Sequence, residues 1–237
     1  MIARNLLYKR SVQINQSISV VIPTVGEILD NEEGYYGMAS VLAAMPIDNM
    51  VLLDSIGVDF AAIDEYQQFL LFFNVLKGMD TSLIFGDLDL SKFELGVNEE
   101  NGKVMLIDSD NDIRIDEEIH RGIAETLRKI LHIEKNTKKP ANKEARDYML
   151  ERAKKKMKRK RNKPDDSHLE SLIVAMVNTE QFKYKFDEVR DLTIYQFNES
   201  VRQIIKKVDY DNQMTGVYSG TIDAKSLGQD DLNWLIH

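Results

Sequence analysis

The chain has 237 residues, of which 43% are hydrophobic and 30% charged, and a formal net charge of −8. That apolar share is ample for a packed core, which excludes wholesale disorder, and the length suits one large domain or two small ones. The absence of cysteine removes disulfides, thiolate metal sites and a cysteine nucleophile, and agrees with a reducing compartment.

The opening residues, Met1 to Leu7, are too few and too polar for the apolar core of a signal peptide. From Tyr8 to Ile22 the pattern predicts a small β element, with Val12, Ile14, Ile18 and Val20 alternating with polar neighbours and Asn15-Gln16 at the turn. Thr24-Val25-Gly26-Glu27 has capping-box spacing and predicts a helix to about Asn31. Further helices are expected over Tyr36 to Ala44, Pro46 to Ser55 and Asp64 to Lys77, with Asp64 as N-cap and Gly78 as terminator. The last of these carries the longest apolar stretch, Phe69 to Leu76, well short of the roughly 20 residues a bilayer crossing requires. No membrane partner is expected, and the setting is taken as cytosolic.

Between Ser82 and Ile115 short apolar runs (Leu83 to Phe85, Phe93 to Leu95, Val104 to Ile107, Ile113 to Ile115) alternate with Gly, Asn and Asp. They predict a small antiparallel sheet with a turn at Asn101-Gly102. This part is acidic, with eleven Asp/Glu against three Lys/Arg from Asp87 to Glu118. Asp116 to Ile133 follows as an amphipathic helix whose face carries Ile119, Ile123, Leu127 and Ile130. After a polar break at Asn136 to Pro140 comes a strongly basic stretch, about Lys143 to Lys163. A second capping box, Ser167 to Glu170, opens the next helix, and Asp191 is the expected cap of a helix over Ile194 to Val208. A separate short helix is expected over Tyr210 to Tyr218, and then an apolar tail with Leu232, Trp234, Leu235 and Ile236. The fold class is α+β, predominantly helical. Four parts are expected: 1–80 with the hairpin and helices, 81–135 with the acidic sheet and a helix, 136–166 as a basic helix or linker, and 167–237 as a helical domain.

Asp108-Ser109-Asp110-Asn111-Asp112 resembles the start of a calcium-binding loop, but Ile113 stands where the sharp turn needs Gly and Ile119 where the bidentate Glu belongs. An acidic hairpin turn explains the run better. The histidines at 120, 132, 168 and 237 have no metal-ligand spacing, and paired carboxylates such as Asp87/Asp89 and Asp230/Asp231 are unremarkable in an acidic chain. No nucleophile-elbow, zinc-protease or phosphate-loop motif occurs. A non-enzymatic role without metal or cofactor is the expectation.

The most unusual feature is the run Arg152, Lys154, Lys155, Lys156, Lys158, Arg159, Lys160, Arg161 and Lys163, where nine of twelve positions are cationic. It fits a solvated linker, a segment docked on an acidic protein surface (the 87–118 region or a partner), or a nucleic-acid contact. Trp234 either packs back on the helical body or anchors a partner.

The order Thr193-Ile194-Tyr195-Gln196-Phe197, then Tyr218 to Lys225 (YSGTIDAK), then Leu232-Asn233-Trp234-Leu235 resembles proteins of the morphogenesis clusters of phages and prophages of Gram-positive bacteria. The short β element followed by Val25 to Leu29 is similar to phage tail assembly chaperones. The resemblance implies a particle assembly protein, with a permanent neck or baseplate component as the near alternative; nucleic-acid binding through 152–163, read from the charge of the run alone, is another. The implied partners are other morphogenesis or structural proteins, with homo-oligomers in keeping, and the implied location is the host cytoplasm or the virion.

Overall fold

The computed structural model describes residues 5–99, 101–161, 167–228 and 231–235. Lys163, Asp230, Ile236, His237 and the stretch 162–166 lie outside the described residues, as do the side chains of Lys160 and Arg161.

The fold is α+β and mostly helical. Strands β1 (Ser11–Gln13) and β2 (Ser19–Val21) form the expected hairpin, in register Val12↔Val20. Its bend is set by Asn15, whose side chain accepts from the amides of Ser17 and Ile18 at 2.9 and 2.8 Å. Helix α1 (Val25–Leu29) starts at the predicted capping box, Thr24 with Glu27. Then come α2 (Glu32–Ala43), α3 (Met50–Ser55) and α4 (Glu65–Lys77), the last capped by Asp64 and Gln67. Pro46 opens a turn rather than a helix: Asp48 accepts from the Met45 amide at 3.0 Å, and regular helix begins four residues later.

The run Leu83 to Phe85, expected as a strand, is a short helix, α5 (Ser82–Phe85). Three apolar residues suit either state, and here Asp80 accepts from the Ser82 amide at 3.0 Å and starts a turn. Gly86, at φ +61°, ends it. The sheet is therefore narrower than expected: β3 (Glu94–Val97), β4 (Val104–Asp108) and β5 (Ile113–Ile115) in the order β3-β4-β5, all antiparallel. The Asn101-Gly102 turn is present, with Gly102 at φ +69°. Tyr66 of α4 fastens the sheet, its hydroxyl lying 3.1 Å from the Val104 carbonyl and 3.0 Å from that of Ile115.

Helix α6 (Glu117–Leu131) is capped by Asp116 and stops at His132, which turns left-handed at φ +54°. Helices α7 (Lys143–Arg161), α8 (His168–Val177) and α9 (Phe186–Asp191) follow, the last absent from the sequence expectation. Asp191 ends α9, and the cap of α10 (Ile194–Tyr218) is instead Thr193, paired with Gln196 in a capping box. The expected break near Val208 does not occur: no Gly or Pro interrupts 194–215, and Lys207 pairs with Asp211 one turn on, at 2.5 Å.

One apolar cluster draws on Leu6, Ile18, Val25, Met38, Phe69, Leu106, Leu127, Leu169 and Phe197, so residues from both ends of the sequence share it. A smaller cluster, Ile47, Leu53, Phe60 and Phe72, receives Met149 of α7. The first and last helical regions are also joined by backbone. Val25 N–H donates to Leu192 O and Ile194 N–H to Pro23 O, both at 2.8 Å, forming an antiparallel bridge between the two capping threonines, Thr24 and Thr193.

The C-terminal carbonyls of α2 would be orphaned inside the protein, and three buried side chains take them. The His120 ring donates to Leu42 O, Arg128 Nε to Ala43 O at 2.8 Å, and Gln68 Nε2 to Ala44 O at 2.8 Å. Arg128 also holds the Glu65 carboxylate, whose other oxygen meets Lys135 at 2.8 Å. Burial alone would raise the Glu65 carboxyl, yet Lys135 and Arg128 together hold it below the usual carboxylate range. Removing one partner of such a buried pair leaves an uncompensated charge. Arg128→Ala is expected to lower stability by about 3–5 kcal/mol in urea unfolding, whereas Arg114→Ala, which removes an exposed pair with Asp112, is expected to leave the midpoint in place.

Burial pushes the His120 pKa down from 6.5 to about 4. The unfolded chain therefore takes up a proton below pH 6.5 that the folded chain refuses until about pH 4. Stability is expected to fall by about 3 kcal/mol through this group across that window, and to be independent of it above pH 6.5. His132 is shifted in the same direction, again by burial first. The contribution is read as the difference in pH dependence of the unfolding free energy between the native chain and His120→Gln.

Candidate functional site

The basic run lies on α7, and only part of it is held against the body. Ala145, Arg146, Met149, Leu150 and Ala153 are half-buried on one side of the helix, which packs on α3. Arg146 pairs with Asp59 and, at 2.8 Å, with Asp147, while Lys154 reaches Asp54 at 2.6 Å. At about 100° per residue, Tyr148, Arg152, Lys155, Lys158 and Arg159 fall on the opposite side within an arc of about 120°. Lys156 sits on its flank, and all of these residues are exposed. Lys155 is 3.5 Å from Glu151. Among the described residues, Arg152, Lys156, Lys158 and Arg159 form no ion pair.

Among the described residues, no ion pair joins the acidic sheet to this helix. Three exposed carboxylates of the 87–118 region find local cations: Glu94 pairs with Lys77 at 2.5 Å, Asp112 with Arg114 at 3.1 Å and Glu117 with Lys103 at 2.8 Å. Asp108 is buried and accepts from the amides of Asp110 and Asn111 and from the Asn111 side chain, which closes the β4–β5 hairpin as the turn reading expects. Among the described residues, no group of three or more His, Asp or Glu is placed to hold a metal ion.

A cleft of about 660 Å³ opens between the Met45–Ile47 turn, the start of α4 and the segment 135–140. Its acids are already committed: Asp64 caps α4, Glu65 lies between Arg128 and Lys135, and Glu117 pairs with Lys103. The cleft is thus lined by groups that close the fold.

Helix α10 buries only its first turn, Ile194, Tyr195 and Phe197, in the core; farther along, Val201 and Ile204 pack on its edge, while Ile205 and Val208 are exposed. The tail returns along this helix. Ile222 lies over Gly216, where a Cβ would come within 2.5 Å of its Cδ1. Gln203 Nε2 donates to the Trp234 carbonyl at 2.6 Å, and Lys207 Nζ stands 5.9 Å from the Trp234 ring centroid. Trp234 therefore packs back on its own chain yet stays 41% exposed, beside exposed Leu232 and Leu235. Two contributions escaped the sequence reading. Tyr148 shares the cationic face of α7, a position visible in helical spacing, and Glu32 accepts from Ser167 and from the Leu169 amide at 3.0 Å, so α8 is capped from α2. As Trp234 is the one tryptophan of the chain, its fluorescence reports the tail. Gln203→Ala with Lys207→Ala removes a hydrogen bond and a cation–π contact of about 0.5–1 kcal/mol, and is expected to shift emission to the red and raise acrylamide quenching.

Among the described residues, no helix is long and apolar enough to cross a membrane. A search among curated proteins and one among solved structures gave no match. A family model does match: residues 158–237, from within the basic run through α8, α9, α10 and the tail, are similar to the YomV second domain, a phage-derived domain.

Proposed function

We propose that this chain is a non-enzymatic assembly or structural protein of a phage or phage-like particle, acting through protein–protein contacts in the manner of a tail assembly chaperone in the host cytoplasm. The observation that carries this reading is the likeness of residues 158–237 to the YomV second domain, YomV being a protein of Bacillus prophage of the SPbeta type. The same region exposes apolar groups: Ile205, Val208, Tyr218, Leu232, Trp234 and Leu235 line the outer part of α10 and its tail. Apolar groups gathered on one element support a docking role, since aromatic side chains with an apolar rim are favoured anchors between proteins.

Deleting the coding sequence from the phage or prophage that carries it is expected to abolish infectious particles and leave tails or heads unassembled in electron micrographs. Normal titre and morphology would overturn the proposal. Mass spectrometry of purified particles then divides its two forms: absence of the chain from finished particles marks a chaperone, and a fixed copy number marks a neck or baseplate component.

A further inference from the structure

We propose that the outward face of α7 (Arg152, Lys155, Lys156, Lys158 and Arg159) contacts the phosphate backbone of duplex DNA without reading its sequence. The inference rests on the placement of these side chains and stands apart from the assembly reading above.

The first argument is availability. The acidic sheet in the same molecule could have neutralised the run and does not: among the described residues no ion pair joins the two, and Glu94, Glu117 and Asp112 pair with Lys77, Lys103 and Arg114. The only anionic partners of the run among the described residues are Asp54, which holds Lys154 on the packed side, and Glu151, 3.5 Å from Lys155. Lys156 and Lys158 stand on opposite flanks of the helix with Arg152, Lys155 and Arg159 between them, so cations at i, i+3, i+4 and i+7 repel one another in the free protein. A dense anion relieves that repulsion.

The second argument is composition. Protein–protein interfaces are depleted in Lys and rely on buried aromatic or apolar anchors. This face carries three lysines and two arginines, its one aromatic, Tyr148, lies at the upstream end, and Met157 points toward the packed side. Phosphate contacts need no anchor, since release of condensed counterions supplies the driving force. The third is shape. A helix is about 10–12 Å across and a duplex major groove about 12 Å wide, so a rod with cations on both flanks meets both phosphate strands. From Arg152 to Arg159 the axial rise is about 10 Å, enough for several phosphates and too little for a specific site, and the face has none of the Asn or Gln side chains that read adenine.

The test is fluorescence anisotropy of the full chain with labelled 20-base-pair duplexes of two unrelated sequences, between 50 and 200 mM salt. Five phosphate contacts predict a slope of about −4 to −5 in log affinity against log salt, a loss of several hundred-fold over that range, alike for both sequences. Neutralising the face (R152Q, K155Q, K156Q, K158Q and R159Q together) is expected to abolish binding at 50 mM while leaving the circular dichroism and unfolding midpoint intact. Neutralising five cations elsewhere (Lys9, Lys92, Lys183, Lys185 and Lys225 to Gln) is expected to leave it in place. The proposal is overturned by absence of binding at 50 mM, by equal loss in the two variants, or by poly-glutamate binding as tightly as duplex at equal salt, which would mark the face as a contact for acidic protein.

Discussion

The structure hangs on the C-terminal end of α2. A helix that ends inside a protein leaves carbonyls without partners, and unpaired buried acceptors are costly. Here Leu42, Ala43 and Ala44 are taken in turn by His120, Arg128 and Gln68, which come from α6 and α4. All three side chains are buried, and two of them do a second task. The His120 ring stacks on Phe69 at 4.3 Å, and Arg128 closes on Glu65, which Lys135 also holds. Three helices are thereby fixed by directional bonds as well as by apolar packing, and the start of α4, the sheet that Tyr66 ties to it and the cleft beside it take their positions from that joint.

From this body two elements extend with much of their surface free, and they differ in chemistry. Helix α7 is anchored along one side by Met149, Arg146 and Lys154, and beyond them carries cations that its own carboxylates leave unpaired. Helix α10 is anchored by its first turn and carries apolar groups, partly covered by the returning tail. The free surface of α7 is thus dominated by cations, and that of α10 and its tail includes a row of apolar groups.

Much of the fold was legible in the sequence because its signals are local. The capping box at Thr24, the N-cap at Asp64, the Asn101-Gly102 turn and the period of Ile119, Ile123, Leu127 and Ile130 each depend on residues within one or two turns of one another. What escaped depends on distant partners or on close competition between states. Leu83 to Phe85 became a helix behind the turn that Asp80 starts, α10 ran through its expected break for want of any breaker, and Thr193 displaced Asp191 as cap because Asp191 was already the end of α9. The basic run was conspicuous as composition, but which of its cations face outward follows from where α3 packs, and that is a tertiary fact. The capping of α2 by His120 and Arg128, across more than seventy residues, left no local trace at all.

The bridge between Thr24 and Thr193 has a consequence for biogenesis. The hairpin and α1 emerge early from the ribosome, but their backbone partners at Leu192 and Ile194 are synthesised some 170 residues later. Until then Val25 and Ile28 lack neighbours that help to bury them, and the nascent chain carries open apolar surface while the intervening residues are made. Closure of such a long loop makes maturation slow compared with a helical bundle of the same size, and the last third of the polypeptide acts as the latch on the first.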